Sequence, residues 1–235
     1  MSKSDFIEVK YTRNNLDKYF IRTSIFNALN KFMPKFEGKL LDSGCGKMPY
    51  KEYLLKHSNI QEYEGLDIES ALEYEQGTKP DFTWDGITMP FENESYQTCI
   101  ATEVLEHCPE PKIFLNEVHR VLKKDGVFFF TVPFLWNLHE TPHDEYRYTP
   151  FSLERILKEC KFNNIEIWAT GGWHASMATM LGLWVKRSPI NHRIKQILSI
   201  VYKPIIMFLL KKDMGFHQNF KEGQMIPSLF GTAKK

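Results

Sequence analysis

The chain has 235 residues, 43% hydrophobic and 25% charged, which suits one large α/β domain and excludes a disordered or fibrous protein. Its formal net charge of +1 gives no broad basic field of the kind that holds nucleic acid. The four cysteines, Cys45, Cys99, Cys108 and Cys160, form no C-x-x-C pair. Neither a disulfide framework nor a zinc site is expected from them, and their use fits a reducing, cytosolic compartment.

The opening residues include Ser, Lys and Asp and lack the apolar core of a signal peptide. No run reaches the roughly 18 apolar residues that span a bilayer. From Tyr11 to Phe36 the spacing predicts one amphipathic helix or two, ended near Pro34. Lys39–Asp42 reads as a short buried strand, broken by Ser43-Gly44-Cys45-Gly46. Pro49 then suits the first turn of a helix whose apolar face carries Tyr50, Tyr53, Leu54 and Leu55. Strands follow at Tyr63–Ile68, Phe82–Trp84 and Thr98–Val104.

Ile113–Leu122 reads as a helix ended by Asp125-Gly126, and Val127–Val132 as a strand apolar on both faces, the mark of a parallel sheet. A helix from Ser152 to Lys161 and a strand from Ile165 to Ala169 continue the alternation, which defines a doubly wound, Rossmann-like α/β fold. Met177–Lys212 has helical spacing, with Pro189 and Pro204 as interruptions, and Ser228–Ala233 is a last short strand.

In an open parallel sheet the ligand lies beyond the carboxyl ends of the strands, where strand order reverses. Gly44 and Gly46 let the backbone approach a ligand there. Asp42, just before the turn, would repel a phosphate and favour a cationic group. The segment GCGKMPY lacks the third glycine of the dinucleotide fingerprint, which argues against an NAD-dependent oxidoreductase. Asp67 ends the next strand, where a carboxylate can accept hydrogen bonds from both hydroxyls of a ribose.

These residues carry a resemblance. LLDSGCG (40–46), GLDI (65–68), WDG (84–86), TEVLEHCPEP (102–111) and RVLKKDG (120–126), in this order between Gly38 and Gly172, resemble class I S-adenosylmethionine-dependent methyltransferases of the type 11 kind. The resemblance implies a seven-stranded sheet with an antiparallel last strand. It also implies a cofactor, S-adenosyl-L-methionine. Carried over, Asp42, Gly44, Cys45 and Gly46 line the methionine side, Asp67 with Ile68 meets the ribose, Asp85 and Gly86 meet the adenine, and Glu103 lies beside the sulfonium. Lys124-Asp125-Gly126 departs from the Pro-Gly-Gly common in such proteins, at a turn remote from the cofactor. The implied organisation is one domain: a helical cap over 1–37, a cofactor-binding core over 38–174, a helical insertion over 175–226 and a last strand over 227–235.

Methyl transfer from this cofactor needs alignment of nucleophile, methyl and sulfur, and a hydroxyl nucleophile also gains from a base. The loop Pro133–Thr149 leaves the carboxyl edge of the sheet and is crowded with His, Tyr, Asp and Arg. His139 and His143 are candidates for base or substrate ligand, and Tyr146 and Arg147 for substrate binding. Equally, Asp144 and Arg147 can pair to fix the loop while the tyrosines pack. Cys45 is read as a small residue whose backbone matters, and Trp173-His174 as core packing, with shaping of the far wall of the cleft as the alternative.

His139 and His143 lie on a Pro-interrupted loop without the helical register that brings an H-x-x-x-H pair together, so no metal is expected. His107 resembles the family's Glu-His pair, with capping or packing as the alternative. The expected acceptor is a small molecule, a glycan or a lipid-linked precursor, methylated on oxygen in preference to nitrogen or carbon. A non-catalytic cofactor-binding subunit is the alternative from another class. Nucleic acid is disfavoured, since no [DN]-P-P-[YF] motif follows the fourth strand. Residues 193–212 join an apolar stripe to flanking Lys and Arg, a pattern that packs over the sheet, forms a homodimer face, or lies on an anionic membrane surface at the inner face.

Overall fold

The computed structural model describes residues 6–69 and 79–235; residues 1–5 of the expected N-terminal cap lie outside them. The elements in chain order are α1 (Tyr19–Phe32), β1 (Glu37–Ser43), α2 (Lys51–His57), β2 (Asn59–Ile68), β3 (Phe82–Trp84), β4 (Tyr96–Thr102), α3 (Pro111–Val121) and β5 (Leu122–Pro133). They continue with α4 (Pro150–Glu159), β6 (Asn163–Thr170), α5 (Trp173–Arg187), α6 (His192–Lys212), β7 (Phe216–His217) and β8 (Ser228–Lys234).

The strands form one sheet in the order β3-β2-β1-β4-β5-β8-β6-β7. Pairings among β1 to β5 are parallel, whereas β8 runs antiparallel to both β5 and β6. The doubly wound reading and the antiparallel last strand hold. The count of seven becomes eight among the described residues, because Phe216–His217 adds a two-residue edge strand to β6. Strand order reverses between β1 and β4, which places the ligand crevice at their carboxyl ends.

The phenylalanine run in β5 shows why this strand is apolar throughout. Phe128 and Phe130 join the core under α3 and α4, while Val127 and Phe129 join the opposite core with Phe32 and Phe36. Successive side chains alternate faces, and both faces are covered by helices. On one side α1 buries Phe20, Ile21, Ile25, Ala28, Leu29 and Phe32, and Phe32 meets Phe129 and Phe230 at 6.0 Å between ring centroids. On the other α3 buries Phe114, Leu115, Val118 and Val121. A third cluster joins Leu16 and Phe20 to Ala175, Ala178, Val185, Ile206 and Leu210 of α5 and α6.

Three local expectations are corrected. Residues 11–18 precede the first helix as turns, with Asn15 accepting from Thr12 and donating to the Lys10 carbonyl. Asp125-Gly126 lies inside β5, where Asp125 takes a φ of +63° and the register to β4 shifts between Tyr96 and Thr98. The α3 helix had already ended at Val121. Pro204 lies inside α6 without ending it; the carbonyl that loses its donor belongs to Ile200, an exposed residue. Pro189 does separate α5 from α6.

Candidate active site

The turn after β1 is fixed from the neighbouring strand. Gly44 and Cys45 donate their backbone N–H groups to the Leu66 carbonyl at 2.8 and 3.1 Å, and Gly46 donates to Asp67 Oδ2 at 2.9 Å. Gly44 and Gly46 have φ of +79° and +48°, in the left-handed region that favours glycine. A Cβ on Gly44 would stand 2.5 Å from Val104 Cγ2, whereas one on Gly46 would meet no atom within 4 Å. The first glycine is therefore required by packing, and the second faces open space at the sheet edge. Cys45 is buried, and burial pushes its thiol far above the ordinary value, so it offers backbone and bulk, not a nucleophile.

Around this turn the strand ends bring carboxylates together. Asp42 is buried; one of its oxygens accepts from the Tyr63 hydroxyl and Oδ1 has no hydrogen-bond partner. Burial raises its carboxyl to about 7 against the opposing pull of Tyr63. Asp67, also buried, accepts from Gly46 through Oδ2 and from Ile68 N through Oδ1 at 2.9 Å, and burial again raises it. Each of these oxygens keeps a further lone pair. Ile68 itself is 40% exposed beside it.

Glu103, just beyond β4, takes a φ of +56°, and its Oε1 accepts from Thr131 Oγ1 at 2.7 Å. Burial raises this carboxyl too. The positive φ turns the chain off the strand and holds the side chain at the switch point. Asp85 is exposed: its Oδ1 accepts from Ile87 N and Thr88 N at 2.8 and 3.0 Å, and these bonds lower its pKa. It fixes the turn in which Gly86 has a φ of +83°. Asp42, Gly44, Gly46, Asp67 and Glu103 thus stand at the ends of three adjacent strands, and Asp85 and Gly86 follow β3 at the edge.

The loop after β5 carries an ion pair between two of its residues. Arg147 grips Asp144 through both oxygens, at 2.6 and 2.9 Å, and holds that carboxyl well below the usual range. The same Asp144 Oδ2 lies 3.2 Å from His139 Nδ1. The pairing that fixes the loop is present, and Arg147 serves it. His139 is half-buried, with its pKa lowered first by burial and then by His107. His143 is exposed, and its carbonyl, not its ring, is bonded to His107 Nδ1 at 2.8 Å. Tyr146 stacks on Tyr148 at 5.5 Å and donates to the Pro109 carbonyl. With Arg147 it lines a groove of about 540 Å³ between α3 and α4, which shares no residue with the glycine turn.

Two groups escaped the sequence reading. Tyr63 was read as a strand residue, yet it holds the Asp42 carboxylate. Glu106 is fully buried with neither carboxylate oxygen hydrogen-bonded, in a short 3-10 turn over Leu105–His107. The E-x-x-E-H spacing from Glu103 to His107 was the available signal. Trp173 donates its indole N–H to the Gly223 carbonyl and is 61% exposed, so it is not the core residue the sequence suggested.

Residues 41–130 match the family model described as a methyltransferase domain. The chain is 30% identical over 109 residues to a fatty-acid O-methyltransferase of Mycolicibacterium smegmatis, a match covering 40% of this chain and 37% of that one. It is 34% identical over 109 residues to a ubiquinone biosynthesis O-methyltransferase of Actinobacillus pleuropneumoniae, covering 41% of this chain and 46% of that one. The matches therefore span under half the length of these relatives. A solved phosphoethanolamine N-methyltransferase 2 of Haemonchus contortus, in complex with S-adenosyl-L-methionine, superposes with a TM-score of 0.57 at 15% identity, over 100% of this chain and 60% of that one. That likeness is one of fold, and the fold is the class I methyltransferase fold.

Proposed function

We propose that the chain is a methyltransferase that binds S-adenosyl-L-methionine at the glycine turn and transfers its methyl group to an oxygen of a small-molecule, glycan or lipid-linked acceptor. The observation that carries this reading is the pair of buried carboxylates, Asp42 and Asp67, flanking a turn whose second glycine faces open space. Asp42 Oδ1 has no partner in the chain, and a cationic ammonium group satisfies it. Asp67 keeps lone pairs for two ribose hydroxyls while it holds Gly46. The donor sets match the chemistry of that cofactor, which supplies an activated methyl group when bound.

The chain's own part is alignment and proton removal. His139 is better placed than His143 for the proton. With its Nδ1–H directed at Asp144, its Nε2 is left as the acceptor, in the manner of an oriented imidazole base. The bidentate Asp144–Arg147 pair fixes that orientation. Relatives named as O-methyltransferases favour oxygen over nitrogen as the acceptor atom. Asp85 with Gly86 is the proposed adenine edge, and Tyr146 the proposed acceptor contact.

Two amphipathic helices suit a lipid-linked acceptor. No helix among the described residues is long and apolar enough to cross a membrane. Yet α5 leaves Trp173, Met177, Met180 and Trp184 exposed along one stripe, and α6 leaves Ile194, Ile197, Val201, Ile205 and Phe208. Arg187, Arg193, Lys195, Lys203, Lys211 and Lys212 accompany them. Apolar burial plus attraction to anionic lipid holds such helices at a bilayer surface.

The test is transfer of labelled methyl from the cofactor to extracted polar lipids and glycan precursors. A labelled product with an equivalent of demethylated cofactor supports the reading. Cofactor binding without transfer to any fraction would favour the non-catalytic subunit instead.

A further inference from the structure

We infer that Glu106, His107 and His139 form a binding site for a divalent transition-metal ion of the zinc or cobalt kind. The loop after β5 alone has no register for a metal. The fold instead brings His139 of that loop against the turn after β4. One ligand atom from each of the three residues lies within 4.8 Å of the other two. His107 Nε2 stands 3.7 Å from Glu106 Oε1, and the two imidazole rings meet edge to face at 4.7 Å between centroids. Closing these gaps by about 1 Å places all three donors on one ion at roughly 2.0–2.2 Å.

Three independent features support it. Glu106 is fully buried and neither of its carboxylate oxygens has a hydrogen-bond partner, although a buried carboxylate requires a proton or a cation beside it. Both imidazoles are oriented from behind. His107 Nδ1 is bonded to the His143 carbonyl at 2.8 Å, and His139 Nδ1 lies 3.2 Å from the Asp144 carboxylate. An acceptor at each Nδ1 fixes the proton there and leaves both Nε2 lone pairs for the ion, as second-shell partners do in established metal sites. The set itself, two imidazoles and one carboxylate, selects borderline-soft divalent ions over magnesium or calcium and leaves a coordination position open. Glu140 Oε2, 3.8 Å from His107 Nε2 and largely exposed, is positioned as a further, mobile ligand.

Metal binding here depends only on these residues. Its consequence for catalysis rests on the methyltransferase reading. An ion held by Glu106, His107 and His139 would supply Lewis acidity, making an acceptor hydroxyl in the open position more acidic. His139 is then a ligand, and the base of the metal-free chain is not needed.

Titration of the chelator-treated full chain with Co²⁺, followed by visible absorption and calorimetry, tests the site. Expected is one ion per chain with the d–d bands of Co²⁺ held by nitrogen and oxygen donors, and binding weakened at least about tenfold by Glu106→Gln and by His139→Gln, and about 10–100-fold by Asp144→Asn through lost orientation. His174→Ala, an exposed histidine elsewhere, leaves binding unchanged. Should Glu106→Gln fail to fold, His139→Gln and His107→Gln on the same assay decide the matter. No stoichiometric uptake, or uptake indifferent to folded His139→Gln and His107→Gln, overturns the inference. Binding of S-adenosyl-L-methionine, measured alongside without metal, shows separately whether the methyltransferase reading stands.

Discussion

The carboxylate of Asp67 holds the backbone N–H of Gly46 at 2.9 Å, so the acid ending β2 and the glycine turn after β1 form one unit. The same side chain that is proposed to meet the ribose also sets the shape of the turn. Replacing Asp67 with Asn keeps the size and removes the charge. A hydrogen bond to a charged group contributes about 1.5–3 kcal/mol, so cofactor affinity should fall roughly 10–150-fold by calorimetry. An unchanged dissociation constant in a folded variant would separate Asp67 from the ribose.

The two glycines of the turn should fail in different ways. Gly44→Ala pushes a Cβ to 2.5 Å from the stiff Val104 side chain at a φ of +79°, and it should lower the melting temperature with a cost of about 1–3 kcal/mol. Gly46→Ala meets no atom within 4 Å, so the folded state bears mainly the left-handed strain, about 1–2 kcal/mol. Its methyl group projects into the proposed cofactor space, and affinity should drop by more than this loss of stability accounts for. Thermal unfolding and cofactor binding on both variants would show whether the effects divide in this way.

Asp42 makes the donor-free chain sensitive to pH. Burial lifts its carboxyl to about 7 in the folded chain, against about 3.9 in an unfolded one. The unfolded chain gives up this proton first, so the contribution of Asp42 to stability falls as pH rises from 4 to 7 and is fully lost above 7. Asp42→Asn should therefore gain on the parent as pH is raised from 5 to 8, by up to about 2.5 kcal/mol in urea unfolding. A bound ammonium favours the ionised carboxylate, so cofactor affinity of the parent should rise between pH 5.5 and 7, by at most about tenfold per unit, with release of a proton. Calorimetry in buffers of different ionisation enthalpy counts that proton; a flat affinity across this range would contradict the pairing.

The exposed stripes of α5 and α6 predict a surface activity separable from cofactor binding. Changing Ile197 and Phe208 to Ser removes two side chains that are 62% and 57% exposed, so folding should be little affected. Co-sedimentation with vesicles containing anionic lipid should fall several-fold, and cofactor affinity should stay the same. If the parent chain ignores such vesicles at low salt but elutes as a dimer that the double variant abolishes, the stripes join two copies instead.

Much of the fold was legible because the sheet is buried on both faces. The phenylalanines of β5 need two cores, and only helices packed on both sides of a parallel sheet supply them. Glycines and acids at strand ends were legible for the same reason, since strand ends are where an open sheet binds its ligand. What escaped depended on long-range contacts. Pro204 reads as a breaker until Ile200 is seen to face water, and Phe216–His217 has no pattern of its own and becomes a strand only beside Thr170. Arg147 reads equally as an anchor or a loop partner, because a spacing of three residues to Asp144 permits the ion pair without requiring it. Glu106 was legible only as part of the Glu-His pair it forms with His107; its burial follows from the loop after β5, whose Glu145 and Tyr146 N–H groups bind the Glu106 carbonyl.

The most direct measurement of the central claim is equilibrium binding of S-adenosyl-L-methionine and its demethylated product to the purified chain, with Asp67→Asn as the comparison. One molecule bound per chain, displaced by the product and weakened by the substitution, is the predicted result. A parent chain that binds neither molecule, while remaining folded by circular dichroism, would contradict it.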